Sequence, residues 1–558
     1  MRLMIALALS LLAGAAAAAA PPQGMVAAAN PAATEAGLKV LRAGGNAIDA
    51  AVAVQATLGL VEPQSSGLGG GAFMVYYDGR TRRLTAYDGR ETAPAGATPD
   101  MFLNTAGQPL SYAEAVLSGR SAGVPGAVAM LSLAHKEHGK LAWASLFEDA
   151  EHLADEGFLV GPRLAGLIAG GAPQAKAPDV IAYFTRPDGQ RIGAGDRLKN
   201  PAYAATLRRV AAEGPSALLT GSIAADIVGR LHQGPLPGTM TAADMAGYRP
   251  HEAEALCRPF HQWIVCEPNA PSGGPATLEA LGLLERTDIA AHGAADARGW
   301  FILAQVERLM YADDLRYVAD PAFVQVPLAG LLAPDYLDER VKLIGERAGP
   351  APAAGHPAGA PHYGPDGTLE PGGTSSFTIV DRRGNVVSMT TTVESVFGDG
   401  RMVDGFLLNN QLTDFSFSPR EKDGAPAANA VGPGKRPRSS MAPTIVLDHD
   451  RRFVAAVGSP GGLAIPSYVL KTLVGVFEWK LPIQEAINLP NLVALGDFYA
   501  SEPAKFAPGV VDALAAKGVT VKTSFAAEGS GLHAILMKDG VLQGGAGPRR
   551  EGVAKPCC

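Results

Sequence analysis

Residues 371–398 read PGGTSSFTIVDRRGNVVSMTTTVESVFG. Two runs in this stretch, SSFTIVD and NVVSMTTTV, are rich in β-branched residues and flank the short turn Arg-Arg-Gly, which predicts a β-hairpin. Upstream lies GPAPAAGHPAGAPHYGPDGTLEPGG, residues 349–373, with almost no apolar periodicity. It predicts a loop or a flexible linker. A structureless segment of this length inside a compact domain is uncommon and is usually functional or a linker. One that ends at Gly-Gly-Thr and turns into a strand admits two readings: a loop that feeds a hairpin, or a place where the chain cuts itself.

The second reading has a chemical reason. A hydroxyl nucleophile is weak and needs a base close by. A Thr at a chain terminus carries its own base, an α-amino group with an unperturbed pKa of about 8. An internal Thr acquires that amine only when the peptide bond before it is cut. A small preceding residue lets the backbone strain and the hydroxyl reach the carbonyl. Gly373-Thr374 meets both demands.

The rest of the chain sets the frame. Its 558 residues are 47% apolar and 18% charged, as in a soluble globular protein. A net charge of -7 without a long basic run argues against nucleic acid as a partner. The N-terminus, MRLMIALALSLLAGAAAAAAPPQG, has one Arg and an apolar run that ends in small residues. This is the layout of a secretory signal over residues 1–20, with a membrane anchor as the alternative. A cleaved signal implies a periplasmic or secreted protein with no stable membrane span. Cys257 and Cys266 flank RPFHQWIV, which can fold back as a hairpin. In an oxidising compartment they either bridge or remain two thiols. No C-x-x-C pair or zinc spacing occurs, and neither a metal site nor a cofactor is expected. HKEH, 135–138, lacks the H-E-x-x-H spacing and reads as a solvated helix face.

Asn30-Pro31 is a helix-start signal, and two helices are predicted between residues 30 and 62. AFMVYY and RRLTAYDGRE then read as a hairpin with Arg90 just past its second strand. Residues 110–345 read as mostly helical, with GWFILAQVERLMYADDLRYVADP as an amphipathic example. MAPTIVLD and RFVAAVGS form a further predicted hairpin, LAIPSYVLKTLVGVFEWKLPIQEAI reads as one long helix or two, and LHAILMKDGVLQGG as a last hairpin. The expected architecture is layered, with helices outside and antiparallel strands inside. GRSAG, 119–123, matches G-x-S-x-G, but the helical pattern before it is the wrong context for a nucleophile elbow. GSPGG sets Gly461 and Gly462 before an apolar helix, where backbone N–H groups suit a developing negative charge.

Taken in order, NPAATEAGLKVLRAGGNAIDAAVA, VEPQSSGLGGGAFMVYY, DGRETAP, GVPGAVA, GGTSSFTIVD, LLNNQLTDFS, GPGKRPRSSMAPTIV, GSPGG and the final GPRR resemble the γ-glutamyltransferase (γ-glutamyltranspeptidase) family, a branch of the N-terminal nucleophile hydrolases. The resemblance implies an α/β (α+β) fold, a four-layer αββα sandwich formed jointly by two subunits cut from one precursor. They are a large subunit, 21–373, and a small catalytic subunit, 374–558, held as a heterodimer. It implies Thr374 as nucleophile and Thr392 as a second threonine in contact with it, with cleavage between Gly373 and Thr374. Gly461 and Gly462 match the oxyanion glycines. Arg90, Ser439 and Ser440 match the grip on the substrate α-carboxylate, and Gln411 and Asp414 the grip on its α-amino group. The implied reaction passes a γ-glutamyl group from glutathione or a similar donor, through a γ-glutamyl-threonine intermediate, to water, an amino acid or a dipeptide.

Two departures stand out. Glu394 occupies a position where the family often has Asn, two residues past Thr392 and so on the same predicted strand face. It can still accept from an ammonium group. The loop 417–434 is shorter than in members with a covering lid and has no Tyr or Trp, which implies a more open site. Two other classes remain: a cephalosporin or glutaryl amide acylase on the same fold, and a non-catalytic periplasmic binding protein.

Overall fold

The computed structural model describes residues 23–368, 370–420, 424–524 and 529–558. The expected signal, residues 1–20, lies outside them. Among the described residues no helix is long and apolar enough to cross a membrane.

The chain opens on β1 (Gly24–Ala28), α1 (Pro31–Arg42) and α2 (Ala47–Val61). Asn30 caps α1 by accepting from the Ala32 amide at 2.9 Å, with Pro31 in the first turn. Asn46 and Asp49 form a reciprocal capping box at the start of α2. Every residue of α2 is buried, as its Ala- and Val-rich sequence suggests. The strands β2 (Gly71–Tyr77) and β3 (Leu84–Asp88) follow. Next come β4 (His251–Glu254), β5 (Leu256–Phe260) and β6 (Trp263–Glu267), then α3 (Gly274–Leu284) and α4 (Ala297–Tyr317). The C-terminal part supplies β7 (Thr374–Val380), β8 (Val386–Thr392), β9 (Thr444–Asp448), β10 (Phe453–Gly458), α5 (Ile465–Leu473), β11 (His533–Lys538), β12 (Val541–Ala546) and β13 (Val553–Cys557).

These strands form two antiparallel sheets, one of seven in the order β13-β1-β7-β8-β2-β3-β4 and one of six in the order β12-β11-β10-β9-β6-β5. Alternation along β7 and β8 sends Phe377, Ile379, Val387 and Met389 into the core beneath α1 and α2. Val380 and Val386 point the other way, into the space between the sheets, where they meet Ile445, Ala456 and Ile535. Helices α3, α4 and α5 cover the outer face of the second sheet. The result is the expected αββα sandwich of two helical and two sheet layers. The described residues of segment 349–373 form no helix or strand, also as expected.

Three local expectations need correction. Residues 251–254 form a strand, β4, not helix; it is a short, polar, exposed sheet edge, which weakens the alternation signal, whereas β5 and β6 form the hairpin expected of RPFHQWIV. Cys257 and Cys266 face each other across β5 and β6 and are joined by a disulfide. Helix α4 is buried on nearly every side instead of being amphipathic, because segments between 492 and 519 cover the side away from the sheet. His135 of HKEH is not solvated: it lies 3.4 Å from buried Asp49, and this contact pushes the imidazole pKa up.

Candidate active site

The hairpin β7–β8 builds the centre of the site. Its turn is tied by Asp381, which accepts from the amides of Arg383 and Asn385 and from Ala47 at the head of α2. The register that follows pairs Thr374 with Thr392 at the far end of the strands. Thr374 Oγ1 lies 3.2 Å from Thr392 Oγ1, and Thr392 Oγ1 lies 2.9 Å from the carbonyl oxygen of Gly373. The Glu394 amide donates to the same Thr392 oxygen at 2.7 Å. Both threonines are buried.

Gly373 is held tightly. A Cβ there would meet the backbone of Ser395 at 2.3 Å and the Glu394 carbonyl at 2.5 Å. On the other side of the leader, Gly461 and Gly462 adopt φ of +144° and +57° and form a turn into α5, as their place before an apolar helix predicts. A Cβ on Gly462 would lie 2.1 Å from the Glu370 carbonyl, and one on Gly372 would lie 3.0 Å from Gly461. The turn therefore presses on residues 370–372, while the bond to the Gly373 carbonyl comes from Thr392.

Arg90 sits just past β3, as expected, and is fully buried. Its Nε donates to the Pro437 carbonyl at 3.1 Å, and its Nη2 donates to Asp414 Oδ2 at 2.6 Å and to the Arg438 carbonyl. Among the described residues no hydrogen bond uses Nη1. Gln411 Nε2 donates to the same Asp414 oxygen at 2.6 Å. The predicted carboxylate grip and the predicted amino grip thus meet at the Arg90–Asp414 pair. Ser439 Oγ accepts from the Met441 amide at 3.1 Å, and Ser440 Oγ donates to Glu370 Oε2 at 2.6 Å.

Glu394 reaches this pocket by a route the sequence does not reveal. Strand β8 ends at Thr392, and Glu394 has φ of +80°, so the argument from a shared strand face fails. The left-handed turn instead aims its carboxyl at Tyr112 and Asn410, which both donate to Oε2. Burial and the neighbouring Asp414 push the Glu394 carboxyl well above the usual carboxylate range. Burial pushes Asp414 up to about 6 against the pull of Arg90.

Several contributors lie outside the expected set. Arg438 is buried and pairs with Asp366 at 3.0 Å and with Glu370 at 3.1 Å. Arg550, from the GPRR run, donates to the Thr374 carbonyl at 2.7 Å. Tyr112 and Asn410 orient Glu394. Asn410 and Arg550 stand inside quoted motifs, but their types alone do not distinguish them from turn caps and surface charges. Glu370 and Tyr112 carry no local signal, since their importance arises from where distant segments meet.

The pocket bounded by Arg90, Thr374, Glu394, Asp414 and Ser440 retains a cavity of only about 20 Å³, with Glu370 and Pro371 forming part of its wall. That is room for about one water. Among the described residues no cluster of His, Cys, Asp and Glu forms a metal site.

A model of the gamma-glutamyltranspeptidase family matches residues 33–557. The glutathione hydrolase proenzyme of Bacillus subtilis (strain 168) is 39% identical over 481 residues, covering 84% of this chain and 80% of that protein. The glutathione hydrolase proenzyme of Escherichia coli (strain K12) is 35% identical over 542 residues, covering 94% of this chain and 90% of that protein. Among solved structures, a cephalosporin acylase from Bacillus halodurans superposes with a TM-score of 0.83 at 26% identity, covering 96% of each chain.

Proposed function

The chain belongs to the γ-glutamyltranspeptidase family, and from that premise we propose that Thr374 is its nucleophile, released as an N-terminus when the Gly373–Thr374 bond is cut. The protein is a γ-glutamyl transferase and hydrolase made as a proenzyme, and it acts on glutathione-like substrates as two subunits. The proposed subunits are residues 21–373 and 374–558. The signal-like first 20 residues support export to the periplasm or the medium.

The observation that carries the assignment is the chain of contacts Thr374 Oγ1, Thr392 Oγ1 and Gly373 carbonyl, at 3.2 and 2.9 Å. In self-cleavage, Thr374 Oγ attacks the Gly373 carbonyl carbon and gives up its proton, and Thr392 steadies the oxygen as charge develops on it. Breaking the C–N bond leaves Gly373 as an ester on Thr374 and frees the Thr374 amine, which takes up a proton. Water then hydrolyses the ester to a Gly373 carboxylate and the free Thr374 hydroxyl.

In the mature enzyme the Thr374 α-amine takes the hydroxyl proton as Oγ attacks the γ-amide of the donor. The oxyanion is assigned to the amides of Gly461 and Gly462. The leaving amine departs with a proton, and water, an amino acid or a dipeptide amine resolves the γ-glutamyl ester. Arg90, Ser439 and Ser440 hold the donor's α-carboxylate, a planar group that suits a guanidinium fork and hydroxyls. Asp414, Gln411 and Glu394 hold its α-ammonium. A γ-glutamyl group does not fit a cavity of about 20 Å³, so the leader must leave after the cut.

Mass measurement on the purified protein tests this reading: wild type gives two chains separated at 373/374, and Thr374→Ala gives one. A Thr374→Ala protein that still splits there sinks the nucleophile assignment. The likeness to a cephalosporin acylase supports a second reading, an amide acylase. The buried acids Asp414 and Glu394 favour donors that carry an α-amino group. Comparing glutathione with glutaryl amides that lack this group separates the two.

A further inference from the structure

We propose that Glu370 is a positioning residue for self-cleavage, and that it works by placing its side-chain carboxylate on part of the seat later taken by the α-carboxylate of the donor. The inference rests on the reading of Thr374 as nucleophile and of Ser440 as part of the carboxylate grip. In self-cleavage the leader is the acyl group: the Gly373 carbonyl plays the part that the γ-carbonyl of the donor plays in the mature enzyme. Both acyl groups carry a carboxylate, and one pocket lined by Ser440, Thr374 and Glu370 serves both.

The contacts fix residue 370 from three directions. Ser440 Oγ donates to Oε2 at 2.6 Å, Arg438 Nε donates to Oε1 at 3.1 Å, and the Leu463 amide donates to the Glu370 carbonyl at 3.1 Å. The side chain is buried, so these bonds are charge-assisted and little screened. Three residues on, Gly373 is wedged against the backbone of Glu394 and Ser395. Between these fixed points stand Pro371, whose φ is locked by its ring, and Gly372, packed on Gly461. The segment has little slack, and the Gly373 carbonyl is delivered to Thr392 and Thr374. Glu370 exchanges no proton with the reacting atoms; it holds the bond in a geometry ready for attack.

The test follows conversion of freshly purified full-length precursor to two chains by gel electrophoresis over time. Glu370→Ala slows conversion by about tenfold or more, the scale of a lost charge-assisted hydrogen bond. Glu370→Gln keeps an acceptor for Ser440 but loses the charge that pairs with Arg438, and converts at a rate between Glu370→Ala and wild type. This partial rescue separates positioning from a general loss of packing, and it also serves if Glu370→Ala fails to fold. Ser440→Ala slows conversion too, and the double variant Glu370→Ala/Ser440→Ala converts no more slowly than the slower single variant, because both remove one contact. Wild-type conversion in Glu370→Ala, or losses that multiply in the double variant, overturns the proposal. Splitting of Thr374→Ala overturns the nucleophile reading instead, so the two failures are distinguishable.

Discussion

Thr392 donates its hydroxyl to the carbonyl oxygen of Gly373 over 2.9 Å. The direction follows from the partners. Thr392 Oγ1 itself receives the Glu394 amide at 2.7 Å and lies 3.2 Å from Thr374 Oγ1. A hydroxyl has one proton to give and two lone pairs to receive. A carbonyl only accepts and an amide only donates, so Thr374 is left as donor to Thr392. One side chain therefore holds the nucleophile and polarises the bond it attacks. Thr392→Ala slows self-cleavage by about 10²–10³-fold, as loss of one oxyanion donor does elsewhere, and Thr392→Ser restores most of the rate. A time course of precursor loss measures both, and an unchanged rate in Thr392→Ala would rule out the donor role.

Gly373 is required for a reason separate from its chemistry. A methyl group at this position meets backbone atoms of Ser395 and Glu394 at 2.3 and 2.5 Å, and backbone cannot swing aside as a flexible side chain can. Gly373→Ala should leave the fold intact but displace the scissile carbonyl from Thr392, lowering the cleavage rate by about 10²-fold or more, as expected for a misplacement on the order of 1 Å. Circular dichroism establishes the fold and gel electrophoresis the cleavage. Cleavage at the wild-type rate in a folded Gly373→Ala protein would show that the close packing does not position the bond.

Arg90 serves two partners. It pairs with Asp414 across 2.6 Å in a buried setting, and it is assigned to the donor's carboxylate. Removing one member of a buried pair leaves the other charge uncompensated, at a cost of about 3–5 kcal/mol. Arg90→Ala should therefore lower the thermal midpoint as well as raise the apparent KM for a γ-glutamyl anilide, with a smaller effect on kcat. Kinetics and thermal denaturation on one preparation separate the two effects. An unchanged KM would contradict the carboxylate role.

The hairpin at the centre of the fold was legible because both of its strands are β-branched runs about a short polar turn, and the pairing of Thr374 with Thr392 follows from that register. The helix start at Asn30 was legible from its Asn-Pro pair. Strand β4 was not, because a short, polar edge strand carries little alternation. In the site, Arg90, Asp414, Gln411 and Ser440 could be named from family resemblance, but the Arg90–Asp414 pairing could not, since 324 residues separate the partners. Glu394 was expected in the pocket for the wrong geometric reason: the chain leaves the strand after Thr392, and a left-handed residue replaces the shared face. Glu370 lies in a segment with no periodicity, and only the meeting of residues 370, 438, 440 and 463 gives it meaning.

The two acids Asp414 and Glu394 carry a pH dependence whose sign can be worked out. Burial pushes Asp414 from its ordinary value up to about 6, and burial with Asp414 nearby holds Glu394 well above the carboxylate range. Asp414 is therefore charged near neutral pH, while Glu394 holds its proton to higher pH than an ordinary carboxyl does. Donor binding through the α-ammonium is fully present above the Asp414 value and is lost as pH falls through it, so KM for a γ-glutamyl anilide should rise about tenfold per unit below about pH 6. Asp414→Asn removes this acid limb and weakens donor binding at pH 7.5 by about 10–100-fold, the scale of a hydrogen bond to a charged group. Glu394→Gln keeps the limb and raises KM less than Asp414→Asn does, since burial and the neighbouring Asp414 already disfavour the charged form of Glu394. Steady-state kinetics from pH 5 to 9 on the matured enzymes decide the matter. A Glu394→Gln enzyme that loses affinity as severely as Asp414→Asn would mean that both acids are charged and that the ammonium is held between two carboxylates.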